Sequence, residues 1–137
     1  MQFELLTLTG AKYHGEIAEV SLRTAAGQIG VLPHHEPLTS IVLAGPVIIR
    51  PRHGQAELFA IFGGLLEVNP DRVRLLADEA EHADELIESE IQAALTKARD
   101  LKAKAKDKHA LQRAEELIDR QEVRLGVARL KRHHRSR

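Results

Sequence analysis

The period of the hydrophobic pattern changes once in this 137-residue chain, near residue 80, and does not change back. Before that point apolar residues mostly alternate with polar ones. Beyond it they recur every three or four residues. Alternation buries one face of a strand, and the longer period buries one stripe of a helix. The pattern therefore predicts a β domain over residues 1–82 and a helical domain over residues 83–137.

In the first part, Phe3, Leu5 and Thr7 share one face of an opening strand. Ala18, Val20 and Leu22 alternate with Glu19, Ser21 and Arg23 in the next. Ile41 and Leu43 lead into Gly45-Pro46, and Val47-Ile48-Ile49 run on to Pro51. Ala56, Leu58, Ala60 and Phe62 alternate before Gly63-Gly64, which predicts a bulge or a close backbone approach. Leu66 and Val68 precede the turn residues Asn69-Pro70-Asp71, and Val73 and Leu75 close the series. Short strands with such regular punctuation predict a sandwich or flattened barrel. The stretch GQIGVLPHHEPL, from Gly27 to Leu38, breaks simple alternation and reads as a structured turn leading into a buried strand.

In the second part, Ile87, Ile91, Ala94, Leu95, Ala98, Leu101 and Ala105 form one stripe, with Asp84 as the expected N-cap. Asp107 is the expected cap of a second helix, whose stripe is Leu111, Ala114, Ile118, Leu125 and Ala128, with Gln121 as a polar gap. Narrow, Ala-rich stripes suit an antiparallel helical hairpin. They bury little apolar area, so the hairpin is expected to be weakly held and a candidate moving part. A static hairpin fits the same periodicity.

Several functions lose support. There is no Cys, which removes thiolate catalysis and cysteine-ligated zinc. No apolar run approaches the ~20 residues of a membrane span. The first residues, Met1-Gln2-Phe3-Glu4, enter an alternating pattern at once, so no cleaved signal is expected. His34-His35 read as strand neighbours on opposite faces, a poor chelate, and no HxxxH pair occurs. No Ser sits in a nucleophile elbow, and Gly27-Gln28-Ile29-Gly30 lacks the sequel of a phosphate loop. No catalytic residue, metal site or cofactor is expected. Residues 1–80 hold 6 Lys/Arg and 9 Asp/Glu, whereas residues 81–137 hold 14 and 11. From Arg124 to Arg137 there are six basic residues and no acidic one. That cationic end points to an acidic partner for the tail.

GQIGVLPHHEPL, Gly45-Pro46, Gly63-Gly64-Leu65-Leu66-Glu67-Val68 and Val73-Arg74-Leu75-Leu76-Ala77-Asp78 occur in that order, with a helical hairpin behind them. The combination GxxGxLPxHxPL plus GGxLEV resembles the epsilon subunits of the F-type, proton-translocating ATP synthase of bacterial type. The resemblance covers the whole chain and is strongest from Gly27 to Asp78. It implies an all-β sandwich of about ten strands followed by an antiparallel helical hairpin. It implies a non-catalytic rotor subunit of the central stalk, held by the gamma subunit and the c ring and coupling proton flow to nucleotide chemistry on the alpha and beta subunits. No nucleic acid is implied, and the place is peripheral, at the cytoplasmic face of a bacterial plasma membrane. Gly27, Gln28, Ile29, Gly30, Pro33 and His35 match positions that face the c ring or gamma. Gln28 stands where relatives can carry an acid, which removes that charge from any pairing with the ring.

The resemblance also makes the hairpin regulatory. Extended along gamma, its second helix meets an acidic segment of beta and opposes ATP hydrolysis. Arg113, Arg120, Arg124, Arg129, Lys131 and Arg132 are the matching cations here; a solvated basic face explains the same residues. Some relatives bind ATP through Ile/Leu-Asp-x-x-Arg-Ala on the first helix. The aligned residues here are Ile91-Gln92-Ala93-Ala94-Leu95-Thr96, so Gln92 and Leu95 replace both polar handles, and weak or absent ATP binding is expected. Two other classes compete. One is a free β-sandwich adaptor whose basic tail binds an acidic partner or nucleic acid, which the 3% aromatic content disfavours. The other is a histidine metalloenzyme. The change of rhythm near residue 80 makes Ala80–Asp84 the expected hinge.

Overall fold

The computed structural model describes residues 1–135. Ser136 and Arg137, counted above in the cationic end, lie outside the described residues. The chain divides into two compact units, Met1–Ala83 and Asp84–Arg137.

The first unit contains nine strands, one fewer than the resemblance implied. They are β1 (Gln2–Thr7), β2 (Gly10–Thr24), β3 (Gly27–Val31), β4 (Leu38–Val42), β5 (Gly45–Pro51), β6 (Glu57–Ile61), β7 (Gly64–Val68), β8 (Arg72–Ala77) and β9 (Ala80–His82). Hydrogen bonding follows the order β1-β8-β7-β4-β2-β5-β6-β9, with β3 attached to β2 alone. β1 also pairs with β2, so β1, β8, β7, β4 and β2 form a closed circuit, the flattened barrel expected. β1 and β8 are parallel; the other pairings are antiparallel.

β2 makes the circuit possible. Its first half pairs with β1 and its second half with β5 and β3. An irregularity between Ile17 and Glu19 marks the change of partner. An inserted residue shifts the phase of alternation. Ile17 is therefore fully buried and Ala18 only half-buried, the reverse of the expected phase. Phe3, Leu5, Val20, Leu22, Leu66, Val68, Val73 and Leu75 point inward as the alternation predicts.

Two further phases differ from expectation. In β4 the buried residue is Val42, while Ile41 and Leu43 are 62% and 42% exposed. In β6 both faces are buried, and it is Phe59 and Ile61 that enter the sandwich core, not Leu58 and Ala60. Where consecutive residues are all apolar, as in Leu58–Ile61 and Ile41–Leu43, alternation carries no phase.

The chain passes between layers at two adjacent corners. Phe62-Gly63 links β6 to β7, and Asp78-Glu79 links β8 to β9. They are tied together: the Phe62 N–H donates to Glu79 O at 3.2 Å and the Asp78 N–H to Gly63 O at 3.0 Å. Gly63 has φ +103°, which favours glycine. Gly64 lies against the Leu76 carbonyl oxygen, where no methyl group fits. Gly63-Gly64 is thus the close backbone approach expected. Ala80–His82, within the expected hinge, is instead strand β9, registered on Phe59–Ile61 of β6.

The second unit holds α1 (Glu88–Ala103) and α2 (Lys108–Arg135), preceded by a 3-10 turn at Ala83–Glu85. Asp84 does not cap α1. The N-cap is Ile87, with no side-chain hydrogen bond, and Glu88 and Glu90 in the first turn face the positive end of the helix dipole instead. Asp107 does cap α2, accepting from the Ala110 N–H at 2.8 Å. Ile91, Leu95, Leu125 and Ala128 form the inter-helix core, flanked by Leu86 and Ile118. Ile87, Leu101 and Leu111, assigned to the stripes, are exposed.

Two substitutions test these local devices. Gly64→Ala should cost about 2–3 kcal/mol, from overlap with rigid backbone. It would be read as a fall in the denaturant midpoint of the isolated subunit. Asp107→Ala should cost about 1 kcal/mol of helix stability with the β unit unaffected, checked by helical ellipticity on heating.

Candidate interaction surfaces

The residues picked out for ring and gamma contact fall into two neighbouring segments. Gly27, Gln28, Ile29 and Gly30 belong to β3, which returns from β2 through a tight turn at Ala25-Ala26. The register is Thr24↔Gly27, Arg23↔Gln28, Leu22↔Ile29 and Ser21↔Gly30. Ala25, Ala26, Gly27, Gln28 and Gly30 are exposed, and Ile29 packs partly against the core. Gly27 has φ +124°. Gln28 presents a neutral amide at this tip.

The tip is braced from below. Thr24 is 2% exposed, and its Oγ1 donates to Gly27 O at 2.8 Å and accepts from the Ala26 N–H at 3.2 Å. A buried hydroxyl with both roles used replaces a missing strand pairing in the turn. The Ala25 N–H donates to Ile41 O and the Leu43 N–H to Arg23 O, both at 2.9 Å, which ties the β2–β3 hairpin to β4.

Pro33 and His35 lie in the turn that follows β3, not on a strand. The His35 N–H donates to Leu32 O at 3.2 Å, and His34 takes φ 69°. The two histidines therefore sit in a turn, not on a strand as expected. His35 is half-buried, with Nδ1 2.7 Å from Glu36 O, while Leu32, Pro33 and His34 are exposed. Among the described residues, no group of three or more His, Asp or Glu side chains converges to hold a metal ion.

The reading of the sequence missed a third surface. Strand registers align Ile41 with Leu65, Leu65 with Leu76, and Leu76 with Leu6. These four side chains form one row across the outer face of β4, β7, β8 and β1. Ile41 and Leu76 are 62% and 36% exposed, and Leu65 and Leu6 are half-buried. The next row carries charge: Thr39, Glu67, Arg74, Glu4 and His14 align across the same strands and β2. Glu4 is its centre, with Arg74 Nε at 3.3 Å and Arg72 Nη1 and His14 Nε2 each at 3.8 Å. An apolar row beside a charged one is the anatomy of a protein-binding face. Its signal was present in Leu65-Leu66 and Leu75-Leu76: when adjacent strand residues are both Leu, one of them must point outward.

On the hairpin, the six candidate cations separate. Arg113 is exposed, and Arg120 and Arg124 are half-buried. Arg129 and Arg132 pair with Glu88, and Lys131 pairs with Asp84. Of the residues aligned with an ATP pattern, Leu95 is 5% exposed within the hairpin core and Gln92 faces outward. No helix among the described residues is long and apolar enough to cross a membrane.

Residues 1–83 match the family model described as "ATP synthase, Delta/Epsilon chain, beta-sandwich domain". The chain is 36% identical over 133 residues to an ATP synthase epsilon chain of Herpetosiphon aurantiacus, covering 97% of each protein. It is 37% identical over 128 residues to that of Bacillus velezensis, covering 93% of this chain and 96% of the relative. Among solved structures, it resembles a chain of the Euglena gracilis mitochondrial ATP synthase (OSCP/F1/c-ring in rotational state 1). The TM-score is 0.74 at 22% identity, covering 93% of this chain and 76% of that one.

The brace beneath the β2–β3 tip can be tested alone. Thr24→Val keeps the shape but leaves the Gly27 carbonyl and Ala26 N–H without their partner. It should cost about 1–3 kcal/mol in urea unfolding and speed hydrogen exchange at Ala26.

Proposed function

Since this chain belongs to the ATP synthase epsilon chain family, we propose that it is a non-catalytic central-stalk subunit of a proton-translocating ATP synthase. Its β-sandwich holds the gamma subunit and the c ring, and through them it acts on the alpha and beta subunits. The observation behind the docking role is the row Ile41–Leu65–Leu76–Leu6, beside the charged row centred on Glu4. An exposed apolar row on a well-packed sheet asks for a permanent partner, and gamma is the partner this reading assigns to it. The braced, neutral β2–β3 tip with Gln28 is assigned to the c ring. Pro33 and His35, in the turn beyond β3, border gamma.

The hairpin is the regulatory part on this reading. Freed from its own first helix, the basic end of α2 meets an acidic segment of beta and brakes hydrolysis. ATP is not the ligand that holds the hairpin folded, because Gln92 and Leu95 offer neither carboxylate nor guanidinium. The place of action is the cytoplasmic face of a bacterial plasma membrane, without insertion.

Affinity purification of the tagged chain from native membranes should recover gamma, alpha, beta and c subunits together. Recovery of the chain without them would overturn the reading. Ile41→Glu, at a 62%-exposed site, should leave thermal stability within about 0.5 kcal/mol of the parent. It should still weaken capture of gamma by roughly tenfold or more. Millimolar ATP should produce no thermal shift of the isolated subunit; a clear stabilisation would contradict the assignment of Gln92 and Leu95.

A further inference from the structure

We propose that Glu88 and Asp84 form an ionic clasp that withholds the basic end of α2 from any acidic partner. The clasp rests on the proposed role of those cations in regulation, and it adds what holds them back. Each oxygen of the Glu88 carboxylate takes a different arginine: Arg129 Nε lies 3.5 Å from Oε1 and Arg132 Nη1 lies 3.2 Å from Oε2. Lys131 Nζ lies 3.3 Å from Asp84 Oδ1. Glu88 is 28% exposed and Lys131 23%, but their partners Arg129, Arg132 and Asp84 are 53%, 69% and 51% exposed, so the pairs face solvent. At least three of the six cations assigned to an acidic partner are thus already engaged by carboxylates of α1 and the turn before it.

The other end of the hairpin shows the opposite polarity. There α1 supplies the cations, with Lys102 3.8 Å from Glu115 and Arg99 3.7 Å from Glu122. The pairs step along the two helices in antiparallel order, so charge fixes the register that the narrow apolar stripe leaves loose. The apolar core of the hairpin ends at Ala128. Beyond it Arg129 and Arg132 reach Glu88 of α1, and Lys131 reaches Asp84 in the turn before α1. An interaction made of exposed charges is screened by salt and exchangeable for another anion. An acidic segment of a partner protein would replace Glu88 and Asp84 with carboxylates of its own.

The absence of Cys permits a clean test. Nitroxide labels at Ser89→Cys and His133→Cys in the full-length subunit report the distance between the start of α1 and the end of α2. Glu88→Gln should raise the population with a separated tail roughly three- to tenfold, the range expected for loss of two exposed pairs. Arg132→Gln should act in the same direction. Glu90→Gln, which removes an equal charge from the same turn, should not. High salt should open the parent chain by a larger factor than it opens Glu88→Gln, which keeps only the pair of Lys131 with Asp84 at this end. A Glu88→Gln distribution identical to the parent, or an equal effect of Glu90→Gln, overturns the clasp. In the assembled synthase, Glu88→Gln should deepen inhibition of ATP hydrolysis. An opened tail with unchanged hydrolysis leaves the clasp standing and overturns the brake.

Discussion

The register of β7 against β8 rests on one close contact, the backbone of Gly64 against the carbonyl of Leu76. Any side chain at Gly64 would push the strands apart where the chain turns between layers. With the contact made, Gly64 faces Ala77, Leu65 faces Leu76, and Leu66 faces Leu75. Leu66 and Leu75 then go to the core, and Leu65 and Leu76 go outside. A slip of one residue would exchange the two sets, since side chains alternate with period two. The outer apolar row therefore depends on a missing Cβ. The neighbouring corner reinforces it, because Gly63 also accepts the Asp78 N–H and so fixes where β8 stops.

The two units solve different problems. The sandwich buries Phe3, Phe59 and a set of Leu, Ile and Val side chains at near-zero exposure, so its surfaces are held rigidly. The hairpin buries a shorter set, Ile91, Leu95, Ala98, Ala114, Leu125, Val127 and Ala128, three of them Ala, and ion pairs add to it. Apolar burial cannot be exchanged for a soluble competitor, whereas ion pairs can. The first way of building resists salt, and the second yields to it.

The overall division was legible in the sequence, because a period of two and a period of three to four cannot bury the same face. The strand series, the closed circuit and the Asp107 cap followed from alternation and turn chemistry. The phase errors have physical causes. Ala18 was placed inside because a bulge at Ile17 is silent in sequence. Ile41, Val42 and Leu43 are all apolar, so the sequence leaves open which one turns inward, and pairing with β7 decides it. Asp84 precedes the stripe as a cap would, but it lies in a 3-10 turn and pairs with Lys131 instead. The cross-helix pairs were out of reach, since they join residues some forty apart whose register only the folded hairpin defines.

If assembly covers the outer row across β4, β7, β8 and β1, Ile41 loses its exposure in the complex. A single cysteine at Ile41→Cys is a direct probe in a chain that has no other thiol. Its alkylation rate should be fast in the isolated subunit, as the exposure of Ile41 demands, and strongly suppressed in the assembled ATP synthase. Equal rates in the two states would contradict the account.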